Sequence, residues 1–151
     1  MTERVFVALG ANLGDRRAQL DEAIRRIGEL EGTTVLAVAP MLETQALLPD
    51  GDAAPQPDYL NTAAELRTTF EPLGLLRALK GIERAMGRQT TTRWAPRLID
   101  LDLVLFGAHQ VNSDELTLPH PGLATRRFVL EPLLALWPDA IDPRTGRHLG
   151  T

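Results

Sequence analysis

Two aspartates in the stretch Arg93-Trp94-Ala95-Pro96-Arg97-Leu98-Ile99-Asp100-Leu101-Asp102-Leu103-Val104 are the first residues whose spacing could do chemistry. In an extended strand alternate side chains share a face, so Asp100 and Asp102 point the same way, about 6.5–7 Å apart along the backbone. Ile99, Leu101, Leu103 and Leu105 then occupy the opposite face and are expected in the core. Two neighbouring carboxylates repel unless positive charge lies between them. A hard divalent cation supplies it, and Mg²⁺ in particular binds through one or two carboxylates plus substrate phosphates. A solvated strand face carrying two harmless acids is the plain alternative.

The neighbours favour the chemical reading. From Arg77 to Arg97 the chain carries Arg77, Lys80, Arg84, Arg88, Arg93 and Arg97 against the single acid Glu83, in a protein of net charge -4. Guanidinium forks match phosphate oxygens bidentately. Arg77 and Arg84 read as a solvated helix face, whereas Arg88, Arg93 and Arg97 flank the acid pair. Trp94 stands in the same polar loop, where no core role is evident for it. The run Thr90-Thr91-Thr92 has no apolar stripe, so the loop is expected to be mobile when empty and to close over a polyphosphate. On that reading Arg97 acts mainly in the closed, reacting state.

Tyr59 and Asn61 lie two apart at a strand start and share a face. An aromatic plane beside an amide suits a flat heterocycle, and a strand-end Tyr with a structural Asn suits the residues equally well. Leu118-Pro119-His120-Pro121 sets a histidine between prolines, with Arg126, Arg127 and Phe128 shortly after. Gly10-Ala11-Asn12-Leu13-Gly14 is glycine-rich but lacks the Lys-Ser/Thr of a P-loop and the third glycine of a dinucleotide fingerprint. It reads as a tight strand-to-helix connection.

The elements that must position these residues follow from periodicity. Arg4–Leu9 reads as a strand. Ala23, Ile24, Ile27 and Leu30 recur at helical spacing up to Gly32. Thr33–Met41 reads as a second strand, a Pro/Asp/Gly-rich loop covers Leu48–Asp58, and Tyr59–Phe70 is a third strand. Pro72 opens a helix whose buried stripe is Leu75, Leu76, Leu79, Ile82 and Met86. A fourth strand runs from Leu98 to Phe106, and a last helix lies within Arg127–Leu136. The order predicts an α+β, ferredoxin-like (split βαβ) antiparallel sheet with helices packed on one face, as a single domain over residues 1–151. With 151 residues, 44% of them hydrophobic and 24% charged, the chain can build one core. There is no cysteine, which excludes disulfides and thiolate metal sites. The acidic balance argues against a nucleic-acid partner, and no stretch is apolar enough for a membrane span. The N-terminus is not of signal-peptide type and the absence of cysteine fits a reducing cytoplasm, so a cytoplasmic location is expected, and with it a monomer as a separate expectation.

The segment from Arg93 to Val104 resembles the signature of the 6-hydroxymethyl-7,8-dihydropterin pyrophosphokinase family of folate biosynthesis. The likeness extends over nearly the whole chain, through Val7–Gly14, Gln56–Asn61, Leu118–His120 and Arg126–Phe128. It implies transfer of diphosphate from ATP to the hydroxymethyl group of the reduced pterin, with release of AMP. It further implies that Asp100 and Asp102 hold two Mg²⁺ ions, that Arg88 and Arg97 assist the transfer, and that Tyr59 and Phe128 sandwich the pterin. Asn61 and the backbone near Thr44 would read the pterin edge, with Trp94 beside it. Arg93, Trp94, Arg97, His120 and Arg126 would meet ATP, with Glu83 and Leu103 near the nucleotide. The chain departs from the family pattern at Gln45, Lys80, Thr90 and Pro121, and its loop from Arg88 to Arg93 is slightly short. A different small-molecule kinase on this fold would share the acids and arginines but have no use for Tyr59, Asn61 and Phe128 together. A non-catalytic ferredoxin-like module would need neither set.

Overall fold

A computed structural model of the chain describes residues 4–11, 15–44, 59–87, 99–123 and 126–150. Strand β1 (Val5–Ala11) leads into helix α1 (Arg16–Gly28), whose first turn is capped by Asp15, its carboxylate accepting from the Ala18 N–H at 3.1 Å. Strands β2 (Thr33–Val38), β3 (Leu42–Thr44) and β4 (Tyr59–Thr68) follow. Helix α2 (Pro72–Gly87) opens on the proline that a first turn tolerates. Strand β5 (Asp100–Phe106), a small hairpin β6 (Val111–Asn112) and β7 (Thr117–Leu118), and helix α3 (Arg127–Leu136) complete the order. The protein is α+β, with an antiparallel sheet in the order β2-β4-β1-β5, β3 extending it along β4. Among the described residues no helix is long and apolar enough to cross a membrane.

Two cores sandwich this sheet. Val5, Val7 and Leu9 of β1 face Leu20, Ala23 and Ile27 of α1 and Leu75, Leu79 and Ile82 of α2. Phe6, Val104 and Leu105 face the other way, against Val129 and Leu133 of α3. The expectation that the helices share one face is therefore corrected: α1 and α2 do, and α3 covers the opposite one. The run Val5-Phe6-Val7 is buried throughout because both faces are covered at that point.

A second correction concerns Leu105. The β1–β5 register shifts so that Phe6 meets Leu105 while Val7 meets Leu103, leaving Val104 as an extra residue. This bulge reverses the alternation. Ile99, Leu101 and Leu103 lie in the α1/α2 core as expected, but Leu105 turns toward α3 and Phe106 takes its place. The first helix ends at Gly28, before the expected Gly32, which adopts a left-handed φ of 71° in the following turn. The second strand ends at Val38, short of Met41, after a register shift between Val35 and Ala37.

Candidate active site

On the α3 face the sheet carries small residues where β1 runs past the helix. Ala8 and Gly10, the same-face successors of Phe6, form the floor of a cleft of about 820 Å³. In register, Gly10 pairs with Asn61 on one side and Asp100 on the other, and Ala8 pairs with Asp102. The two aspartates thus stand side by side on β5, partly exposed, above glycine and alanine. A side chain at Gly10 would place its Cβ 2.9 Å from Asn61 Oδ1 and 3.6 Å from Tyr59 Cδ1. Gly10 is not among the positive-φ glycines, so space and not backbone angle demands it.

Asn61 is buried (5% exposed), and its neighbour Thr62 donates its hydroxyl to the Ala39 carbonyl at 2.7 Å, fixing β4 beneath the site. Tyr59 begins β4, paired with Thr44 of β3, and lines the cleft together with Leu42 and Glu43. The opposite wall is the start of α3, with Arg126, Arg127, Phe128 and Glu131. Phe128 is 38% exposed, unusual for a phenylalanine, and the Arg126 guanidinium lies 6.0 Å from its ring centre. No acid occupies the first turn of α3. Two arginines at a helix N-terminus oppose the macrodipole, at roughly 0.3–1 kcal/mol each. Their charge, together with the helix end, makes this wall a place for an anion. Arg127 is partly compensated by an ion pair with Glu131, and Glu43 by Arg16 at 2.9 Å.

Of the residues expected at a site, Asp100, Asp102, Tyr59, Asn61, Arg126 and Phe128 line this one cleft. His120 sits half-buried on the segment that returns from β7, its backbone N–H donating to the Val104 carbonyl at 2.9 Å. Its Nδ1 accepts from the Gly122 N–H at 2.9 Å. Burial pushes its pKa down, Asp102 pulls it up, and Arg126 pushes it down again. The backbone of Thr44 pairs with Tyr59 at the end of β3, beside the cleft-lining Leu42 and Glu43.

Glu83 and Leu103 lie on the other side of the sheet. Leu103 is packed in the α1/α2 core. The buried Glu83 carboxylate accepts from the Leu101 N–H at 2.6 Å, between the two aspartates in sequence, and pairs with Lys80 at 3.3 Å. A hollow of about 210 Å³ adjoins them, lined by Leu76, Arg77, Lys80, Arg84 and Glu115. Arg77 is exposed there in an ion pair with Glu115 at 3.0 Å, as a solvated helix face would be. Arg88, Arg93, Trp94 and Arg97, together with Gln45 and Thr90, lie outside the described residues. Sequence reasoning missed Ala8, Gly10 and Arg127. The available signal was the pair of small residues alternating with Phe6 along β1.

Comparison with known proteins places these residues in context. Residues 6–138 match the profile of the family described as 7,8-dihydro-6-hydroxymethylpterin-pyrophosphokinase. The chain is 42% identical to the 2-amino-4-hydroxy-6-hydroxymethyldihydropteridine pyrophosphokinase of Pseudomonas aeruginosa, over 99% of this chain and 89% of that protein. It is 38% identical to the Synechocystis protein of the same name, over 95% of this chain and 71% of that one. A 41% identity to the folic acid synthesis protein fol1 of Schizosaccharomyces pombe covers 95% of this chain but only 19% of that longer protein.

Proposed function

The chain belongs to the 7,8-dihydro-6-hydroxymethylpterin-pyrophosphokinase family, and on that premise we infer that it transfers diphosphate from ATP to the hydroxymethyl group of 6-hydroxymethyl-7,8-dihydropterin, releasing AMP, in folate biosynthesis. The observation that carries the residue assignments is the convergence of Asp100, Asp102, Tyr59, Asn61, Arg126 and Phe128, from three elements, on one cleft. In our reading residues 1–151 form one such domain, supported by the family match over residues 6–138. The interleaving of β1-α1-β2 with β4-α2-β5 in one antiparallel sheet supports the ferredoxin-like, split βαβ description. The working unit is a single cytoplasmic chain. The lack of cysteine fits a reducing compartment.

Tyr59 and Phe128 hold the flat pterin ring between them, and Asn61 reads its polar edge in the space that Gly10 leaves. The Thr44 backbone closes the same end. Two carboxylates on one strand face, with no cluster of three or more acids or histidines among the described residues, suit a hard cation completed by phosphate oxygens and water. Asp100 and Asp102 would hold two Mg²⁺ ions, whose charge would offset that of the triphosphate. Arg126, at the start of α3, meets the phosphates from the facing wall, and His120 meets them from the segment that follows β7. Because β5 is an edge strand among the described residues, a nucleotide can lie across it, its phosphates above Asp100 and Asp102 and its nucleoside toward Glu83 and Leu103. Arg88, Arg93, Trp94 and Arg97 complete the ATP side, as the family pattern implies. Positioning and charge neutralisation do most of the work in such a transfer, and no side chain is assigned as general base.

Incubation of the protein with ATP, Mg²⁺ and 6-hydroxymethyl-7,8-dihydropterin tests this. The expected result is AMP in equal amount to pterin diphosphate. ADP in place of AMP would indicate an ordinary kinase, and absence of any pterin-dependent turnover would leave only a binding module.

A further inference from the structure

Gly122 belongs to no ligand assignment, yet it touches the two phosphate-side residues at once. Its N–H donates to His120 Nδ1 at 2.9 Å, and its carbonyl accepts from the Arg126 N–H at 2.8 Å. With Nδ1 accepting, the neutral imidazole carries its proton on Nε2. The side chain of Arg126 passes directly over the Gly122 α-carbon. A Cβ built there would lie 2.5 Å from Arg126 Cδ, 2.9 Å from Cγ and 3.0 Å from Nε. Two of these atoms belong to the middle of the side chain, and the backbone hydrogen bond to Gly122 holds the root of that chain in place. They cannot give way without a change of rotamer that redirects the guanidinium. Gly122 is not one of the positive-φ glycines, so an alanine would suit the backbone there. What an alanine would not suit is the arginine.

We propose that Gly122 is a positioning residue for diphosphate transfer, its missing side chain forming the lane along which Arg126 reaches the cleft. The inference rests on the proposed function, because it needs Arg126 to meet the phosphates of ATP. Alanine at position 122 keeps the N–H that holds His120, so the substitution isolates the arginine lane from the histidine.

The test is a double-mutant cycle of Gly122→Ala, Arg126→Ala and the two combined, read by steady-state kinetics, ATP and pterin binding, and thermal melting. A charge-assisted hydrogen bond sets the expected size: Gly122→Ala lowers kcat/KM for ATP by about 10- to 100-fold, with pterin affinity within about twofold. In the Arg126→Ala background the same substitution should change nothing, since its clash partner is gone. Any loss of melting temperature in Gly122→Ala should likewise disappear in the combined variant. Equal losses in both backgrounds would overturn the lane, whatever the role of Arg126. Unchanged ATP kinetics in Arg126→Ala alone would remove the phosphate role of Arg126, and this inference with it.

Discussion

Asp100 and Asp102 are paired with Gly10 and Ala8 of β1, so the floor beside them carries almost no side chain. That arrangement leaves room for cations and phosphate oxygens, and it gives the carboxylates little part in packing. Asp100→Asn or Asp102→Asn should therefore lower Mg²⁺-dependent turnover by at least about 100-fold, metal-ion stabilisation of such transfers being worth several kcal/mol. The melting temperature should stay within a few degrees of wild type. Near-wild-type activity in both variants would sink the metal assignment. Phe128 makes a different kind of contact. It is 38% exposed, so its truncation costs the fold little. Stacking on a flat heterocycle is worth about 1–3 kcal/mol. Phe128→Ala should weaken pterin binding by roughly one to two powers of ten, with ATP affinity unchanged. Equal losses for both ligands by calorimetry would place Phe128 outside the pterin pocket. The acid pair was legible from spacing alone, because strand alternation fixes its geometry. Gly10 was not, because the reason for that glycine is Asn61, 51 residues away in sequence, and only the β1–β4 register brings the two together.

At the scale of elements, β5 is an edge strand among the described residues, and an edge leaves backbone groups without a ladder partner. Helix α2 supplies the missing partners where the aspartates stand. The Glu83 carboxylate accepts from the Leu101 N–H at 2.6 Å, and Lys80 reaches the Leu101 carbonyl at 3.4 Å. Glu83→Ala would strand a buried N–H, at a cost of about 1–3 kcal/mol. It should also lower kcat, since the strand that carries both aspartates loses its outer support. Glu83→Gln keeps an acceptor and should recover most of the stability. Urea denaturation with parallel kinetics checks this, and a Glu83→Ala protein as stable as wild type would dismiss the tether. The helices were legible because the 3.6-residue period of their apolar positions holds through each. The long strands were legible because their apolar runs are bounded by turn residues, although the two-residue alternation breaks at Val5-Phe6-Val7 and at Val104. The bulge at Val104 was not, since one extra residue in a strand shows only against its partner's register. The side taken by α3 was half legible: the unbroken run Val5-Phe6-Val7 called for cover on both faces, and the amphipathic α3 was the element available to supply it.

For the molecule as a whole, the sheet divides two cores, and the second is closed by the C-terminal segment. Trp137 stacks on Phe6 with ring centres 5.8 Å apart, and the Arg4 guanidinium lies 4.4 Å from the Trp137 ring while pairing with Glu65 at 2.9 Å. This anchors α3, and with it the wall that carries Arg126 and Phe128, to β1 and β4. The segment then turns back on itself, with the Leu149 N–H donating to the Ala140 carbonyl and the Asp142 N–H to the Arg147 carbonyl, both at 2.9 Å. Asp142 is buried at the centre of that turn, accepting from the Arg144 N–H at 2.9 Å and from its guanidinium at 2.9 and 3.0 Å. Arg144 holds the carboxyl below its usual range, and burial opposes this only in part. A lowered folded-state pKa means that the unfolded chain binds the proton first as pH falls. The stabilisation is therefore complete above the ordinary aspartate pKa of about 4 and is lost below it, as pH falls through the lowered folded value. Asp142→Asn should cost about 1–3 kcal/mol at pH 7, the scale of a hydrogen bond to a charged group. Because the asparagine does not titrate, the gap between variant and wild type should narrow below about pH 4. Urea midpoints measured from pH 7 down to pH 2.5 give the answer. A gap of constant size down the acid limb would mean that the turn is held by its shape and not by the ionised carboxylate.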